Sequence, residues 1–407
     1  MKRPIEFKWE ALDVIIRGKS SIDASHGFSI HTQQDADAFL KSYGFDFANP
    51  IEQAECFGHF HEALNFIRKC FLFPDNSAGL KIEIPRKILE LTDVKDLFLM
   101  SSFAYPTQNK DGQGTYLRNW ACSLLKVMHT IAHIDQDLRS NYFAEIQKQI
   151  LDRFYRQIQR DENGVMYLGS GADDGDKVNL IAFETKPKKS RDSILLKLLH
   201  KPENVAEDIF DRVGIRFVTP KPLDSLLVIQ YLTQKMIVMP PNNKPSRSRN
   251  TLIDLDYFRN EAEILSQSLE EKRINYDEYL LMLNQVASPP SVDPNNPHSS
   301  EFYRSIQFTC RQLIKLKNPL FDDIKELKQQ FKSKNLTEDT AKIVERIDMK
   351  FVQKELKFFY PYEVQVVDIK NHEENEKGRS AHSEYKKLQI QTAMKRVMGS
   401  LADAQRV

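Results

Sequence analysis

Apolar residues recur at three-and-four spacing through the first part of the chain. That spacing predicts helices over 35–43, 50–70, 86–91, 117–132 and 140–160. Asn49-Pro50 supplies a cap and a first-turn proline for the second of them. Near residue 161 the texture changes. Short alternating runs at 164–168 and 178–184 predict strands, joined by the acidic, glycine-rich turn GSGADDGD. A helix over 194–200, a buried strand over 209–218 and a helix over 224–235 give this part α/β or α+β texture. Beyond it the pattern predicts helical, charged stretches at 256–286 and 318–354, a strand at 302–311 and a last strand at 362–368. In that last strand Glu363 and Gln365 point one way and Val364 and Val366 the other. A carboxylate on such a face is placed to hold a metal or take a proton; the alternative is an edge strand with a solvated face.

Composition narrows the class. The chain has 407 residues, enough for two domains, and a net charge of +1 points to neither nucleic acid nor an acidic partner. The four cysteines are widely spread, with no disulfide or zinc-finger spacing. Residues 1–10 lack an apolar signal core and no apolar run is long enough to span a bilayer, so the expectation is a cytoplasmic protein away from membranes. The expected division is a helical domain over 1–160, open to a protein partner, followed by a second domain over 161–400.

Several clusters could carry chemistry. His129, His133 and Asp137 lie at four-residue spacing beside Asp135, which reads as a polar stripe at a helix end before it reads as a metal site. Cys56, His59 and His61 have no matching ligand downstream and read as packing. Lys189, Ser193 and Lys197 run from a basic loop into a helix, either an anion site on the helix N-terminus or a plain surface cap. Asp211 and Arg216 sit on an apolar strand, where charge needs a partner or a metal. The loop 240–249 (PPNNKPSRSR) suits a phosphate-rich ligand or solvent equally.

Four of these pieces, in this order, resemble the synthetase domain of the RelA/SpoT family of alarmone synthetases. The clearest match is EVQVVDIKNHEENEKGRSAHSEYK, ungapped from Glu363 to Lys386, in which Gln365, His372, Glu376, Gly378, Ala381, His382 and Tyr385 fall on family positions. The run from Asp211 through Gly214 and Ile215 to Arg216 is similar to the family's acidic strand, and Lys189, Ser193 and Lys197 keep its lysine–serine–lysine spacing. Tyr303, Arg304, Ser305 and Ile306 resemble its tyrosine strand. The chain departs from the family at Pro187, beside Lys186, where an arginine is usual, at Gln307 in place of histidine, and at Val367 in place of arginine. The likeness covers about 178–390, with helical insertions at about 257–292 and 317–354.

The resemblance implies an α+β protein, with a mixed-sheet, nucleotidyltransferase-like synthetase domain flanked by helices. It implies an ATP- and Mg²⁺-dependent pyrophosphotransferase acting on the 3′-hydroxyl of GDP, GTP or, given the departures, the tRNA end. Asp211 and Glu363 would hold Mg²⁺, with Glu363 sharing the metal or accepting the hydroxyl proton. Lys189, Ser193 and Lys197 would cradle the ATP phosphates. Tyr303 would stack on the acceptor base, with Gln307 and His382 beside the acceptor. Arg216 would neutralise developing charge or bridge to Asp211 or Glu363. The other implied reading is a nucleotide- or alarmone-binding regulatory protein that kept the fold without the chemistry.

Overall fold

The computed structural model describes residues 16–17, 20–23, 30–102, 113–169, 177–186, 190–201, 212–289, 303–332, 346, 353–377 and 382–403. The chain is a mixed α+β protein that divides into two compact units, 1–141 with 188–209 and 380–407, and 142–187 with 210–379. The division thus runs differently from the expected 1–160 and 161–400: helix Arg191–Leu199 and the helices from His382 onward belong with the N-terminal helices. Among the described residues no helix is long and apolar enough to cross a membrane.

The first unit is built from helices. Gln33–Tyr43 opens on a capping box between Thr32 and Asp35 and closes at Gly44, whose φ of 115° suits a residue without a Cβ. Pro50–Phe71 starts at the Asn49 cap, as its sequence predicts. Val94–Ser101 and Gln113–Asp135 pack with them around Phe60, Ile67, Leu97, Trp120 and Leu124, all essentially buried. Helices Arg191–Leu199 and His382–Met398 add Leu195, Leu198, Ala393 and Val397 to the same core. Arg396 clamps this joint, giving one hydrogen bond to the carbonyl of Leu199 at 2.8 Å and another to Asp23 at 2.6 Å. It thereby satisfies a carbonyl that a helix end leaves open.

The second unit holds both sheets. A three-stranded antiparallel meander comprises β1 (Ile158–Arg160), β2 (Met166–Leu168) and β3 (Val178–Leu180). The larger sheet contains β4 (Ala182–Thr185), β5 (Gly214–Thr219), β6 (Arg249–Asn250), β7 (Ile306–Lys317) and β8 (Glu355–Asp368), in the order β4-β5-β8-β7-β6. Only β5 and β8 run parallel, so the sheet is mixed. The run expected as one strand at 178–184 is split at the exposed Ile181 between the two sheets. The helix expected to reach 160 stops at Tyr155, and β1 follows. It belongs to this unit because Ile146, Ile150 and Phe154 join the apolar core of the sheet. The Phe154 ring lies 5.7 Å from Tyr362 and 6.2 Å from Phe217.

Ile215, Phe217, Val364 and Val366 form the apolar face of the large sheet, covered by helices Phe143–Tyr155 and Pro222–Gln234. β8 is twice as long as its expected seven residues, because 355–361 also pairs with β7, across Pro361. The stretch expected as helix at 256–286 is a helical hairpin, Leu255–Glu270 and Tyr276–Val286, turning at Lys272 with a φ of 57°. Truncating Phe217 to alanine removes a ring with no solvent exposure and is expected to cost about 3–5 kcal/mol in denaturant unfolding. Leu281→Ala, at a side chain 58% exposed, is expected to stay within about 0.5 kcal/mol of the wild type.

Candidate active site on the polar face of the large sheet

The opposite face of the large sheet is polar, and the strand register says why. Residues directly opposite one another across strands share a face. Glu184 of β4 faces Arg216 of β5, which faces Gln365 of β8, then Gln307 of β7 and Arg249 of β6. One continuous polar row therefore crosses all five strands. In the next row Gly214, Glu363 and Thr309 lie side by side.

Glu363 is not on an edge strand with a solvated face. β8 lies between β5 and β7, and Glu363 is 7% exposed. Lys186 forms an ion pair with its Oε1, and the Gln307 amide donates to its Oε2 at 2.5 Å. Lys186 reaches it from the end of β4 by passing over Gly214, which lies between them in the sheet. A Cβ at residue 214 would sit 2.5 Å from Cδ and 2.9 Å from Cγ of the lysine. The glycine of the acidic-strand motif is therefore the space through which the counter-charge reaches the carboxylate.

Among the described contacts Arg216 does not bridge to Glu363. It donates to Glu376 at 2.8 Å, to Glu184 at 3.3 Å and to the Gln365 carbonyl oxygen at 3.0 Å. That fixes the Gln365 amide: its oxygen faces Arg216 and its nitrogen donates to the Tyr303 hydroxyl. Glu376 comes from helix Ile369–Lys377, which also carries His372, 3.7 Å from Glu184. Asp368 caps this helix, accepting from the backbone of Lys370 and Asn371 at 3.1 and 3.2 Å. Asn375 then ties the helix to the tyrosine segment, exchanging two hydrogen bonds with the Arg304 backbone at 2.9 and 3.2 Å.

The structure thus brings Glu363, Arg216, Tyr303 and Gln307 to one face of the sheet unit. Asp211 and Lys189 lie outside the described residues. Ser193, Lys197 and His382 belong to the helical unit. Ser193 sits in the first turn of its helix, where the Ser190 cap accepts from its backbone at 3.3 Å and the two hydroxyls are 2.8 Å apart. Lys197 is half-buried, and His382 begins a helix. The basic loop at 240–249 is pinned to the edge of β7, where the Lys244 amide donates to Thr309 at 2.9 Å. Glu184 and Lys186 were not legible as partners of Arg216 and Glu363, although their two-residue spacing on one strand face was the available signal. No protein-family model matches this sequence, and no curated protein matches it.

In the helical unit the histidine stripe is taken up by other contacts. The Tyr43 hydroxyl is 2.6 Å from His129 Nδ1, the His133 ring stacks edge-on 4.5 Å from His129, and Asp137 pairs with Arg139 at 2.8 Å. Asp135 bonds His59 at 3.1 Å and both terminal nitrogens of Arg191 at 2.6 and 2.8 Å. Burial works against the Asp135 carboxylate, but the hydrogen bonds from His59 and Arg191 outweigh it and bring its pKa down to about 2. Arg191 also forks onto Glu62, a pairing the sequence pattern did not reveal. His61 packs edge-on against Phe57 at 4.8 Å, and burial pushes the Cys56 thiol up to about 12. Among the described residues no group of three or more His, Cys, Asp or Glu is arranged to hold a metal.

Burial, with His133 adding repulsion, lowers His129 from 6.5 to about 4. The unfolded chain therefore takes up this proton before the folded one does. The stability tied to His129 is complete above pH 6.5 and is lost as pH falls from 6.5 towards 4. Thermal melts across that range are expected to show a shallower acid loss for His129→Leu than for the wild type.

Proposed function

We propose that the protein is a nucleotidyltransferase-like pyrophosphotransferase of the RelA/SpoT synthetase type. It would move the β,γ-pyrophosphate of ATP to the 3′-hydroxyl of a guanine nucleotide or of the tRNA end. The observation that supports this most is the position of Glu363. The resemblance marks Glu363, Gln365, Tyr303, Gln307 and Arg216 from three separate motifs, and all five lie on one polar sheet face, hydrogen-bonded in two neighbouring sets, Arg216 with Gln365 and Tyr303, and Gln307 with Glu363. A carboxylate, an aromatic ring and a guanidinium on one sheet face are the groups that such a transfer uses.

In this reading the acceptor 3′-oxygen attacks the β-phosphorus of ATP, the bond between the α–β bridging oxygen and the β-phosphorus breaks, and AMP leaves. Glu363 takes the hydroxyl proton. Tyr303 holds the acceptor base on its ring face while Gln365 orients its hydroxyl. Arg216, held by Glu184 and Glu376, keeps Gln365 in place and sets a positive charge at the edge of the reacting groups. The site suits Mg²⁺, which takes one or two carboxylates and completes its shell with phosphate oxygens and water. Glu363 fits as one ligand because it already attracts a cation, Lys186, and Asp211 would be the second. Bound there, Mg²⁺ would neutralise charge on the phosphates.

One observation favours a second reading, a nucleotide- or alarmone-binding regulatory protein without turnover. Both Glu363 oxygens are engaged, by Lys186 and Gln307, on a side chain 10% exposed. Incubation with γ-labelled ATP, Mg²⁺ and a panel of GDP, GTP and deacylated tRNA separates the two. Transfer of label by the wild type, reduced about 10²–10⁴-fold in Glu363→Gln, is the expected result. Calorimetric binding of ATP or guanosine tetraphosphate with no label transfer would replace the enzyme with the regulator.

A further inference from the structure

The helices Gln33–Tyr43, Pro50–Phe71, Val94–Ser101 and Gln113–Asp135 do not close completely on one another. They leave a pocket of about 70 Å³, open on one side, among Phe39, Tyr43, Cys56, Phe98, Met128 and His129. Protein interiors are normally packed to the density of organic crystals, and a single water needs only about 10–15 Å³ by this kind of measure. The space is therefore several waters large, in a core whose Phe60, Leu97 and Trp120 side chains are essentially buried.

Its walls define what it can hold. Three rings stand nearly parallel along one side: Phe39 and Tyr43 at an interplanar angle of 16°, Tyr43 and Phe45 at 8°, with centroids 6.2 Å apart in each pair. Phe98 tilts against Phe39 at 5.4 Å. Such walls favour a flat, apolar guest over a branched or globular one. Among the described residues no lysine, arginine, aspartate or glutamate lines the pocket, so a charged guest would lose its hydration with no counter-ion in return.

The pocket has one polar feature that a guest can reach. Tyr43 is 41% exposed, and its hydroxyl meets His129 Nδ1 at 2.6 Å. The other buried polar lining residue, His59, is committed to Asp135. Burial raises the Tyr43 hydroxyl to about 12 and leaves His129 unprotonated at neutral pH, so the pair is uncharged. One hydrogen bond joins the two groups, and a tyrosine hydroxyl can make a second.

We propose that the helical unit carries a binding pocket for a small, uncharged, single-ring aromatic molecule whose one hydrogen-bonding group meets the Tyr43–His129 pair. The site lies wholly within the helical unit and does not rest on the transferase reading. Cys56 in its wall is a packing surface, since a buried, protonated thiol is inert.

Titration of the full-length chain with 4-fluorophenol, fluorobenzene and 4-fluorobenzoate, followed by fluorine NMR, tests this. The phenol is expected to broaden saturably at millimolar concentration and to bind about three- to tenfold tighter than fluorobenzene, the worth of one neutral hydrogen bond. The benzoate is expected to show no saturable binding. Ala132→Phe fills the pocket from a wall residue 5% exposed and is expected to abolish binding of both neutral rings. Tyr43→Phe combined with His129→Leu keeps the ring wall and removes both polar groups of the pair, so it carries the test even if Ala132→Phe fails to fold. It is expected to bring the ratio of phenol to fluorobenzene affinity to about one. No saturable broadening in the wild type, benzoate binding as tight as phenol binding, unchanged binding by a folded Ala132→Phe, or an unchanged ratio in Tyr43→Phe with His129→Leu would each overturn the proposal.

Discussion

A carboxylate on an inner strand must be given a counter-charge or lose its own, because removing an unpaired ion from water costs far more than one contact returns. Glu363 meets that constraint through Lys186, and much of the polar sheet face follows from it. The lysine has to cross β5 to arrive, so β5 must carry a residue without a Cβ where the two meet, which is Gly214. The remaining oxygen is met by Gln307 from the other side. Row by row, Arg216, Gln365 and Tyr303 continue the same logic, bonded to neighbours across the sheet and to helix Ile369–Lys377.

This arrangement is a scaffold and a restraint together. The hydrogen bonds that orient Gln365 and Tyr303 need no substrate to form, so an acceptor would meet groups already in place. The ion pair on Glu363 works the other way. Any step that uses this carboxylate must draw it from Lys186, and that exchange is natural only when other cations or a proton donor enter the site. The same geometry thus supports either a transferase whose base is released by its substrates or a binding protein whose base stays closed.

The sequence told these parts apart unevenly. Alternation at 363–366 placed Glu363 and Gln365 against Val364 and Val366, and the register agrees, because the two-residue period admits only two faces. The Asn49 cap and the helix it opens were legible for the same local reason. What depended on distant partners was not. Helix Arg191–Leu199 reads locally as a strand-following helix with a basic entry, yet Arg191 forks onto Glu62 and Asp135 far upstream, so it belongs to the helical unit. Likewise Arg216 gave no sign of choosing Glu184 and Glu376 over Glu363. Pairwise choice among several carboxylates is set by strand order, and strand order is non-local.

The most direct test of the account is a double-mutant cycle on Lys186 and Glu363, read by denaturant unfolding of Lys186→Met, Glu363→Gln and the pair together. If the ion pair over Gly214 organises this face, each single change leaves the partner, buried Glu363 or half-buried Lys186, without its counter-charge. The double change then costs less than the sum of the two, with a coupling of about 1 kcal/mol or more. Additivity of the two within about 0.5 kcal/mol would mean that Lys186 and Glu363 do not hold each other, and would contradict the account.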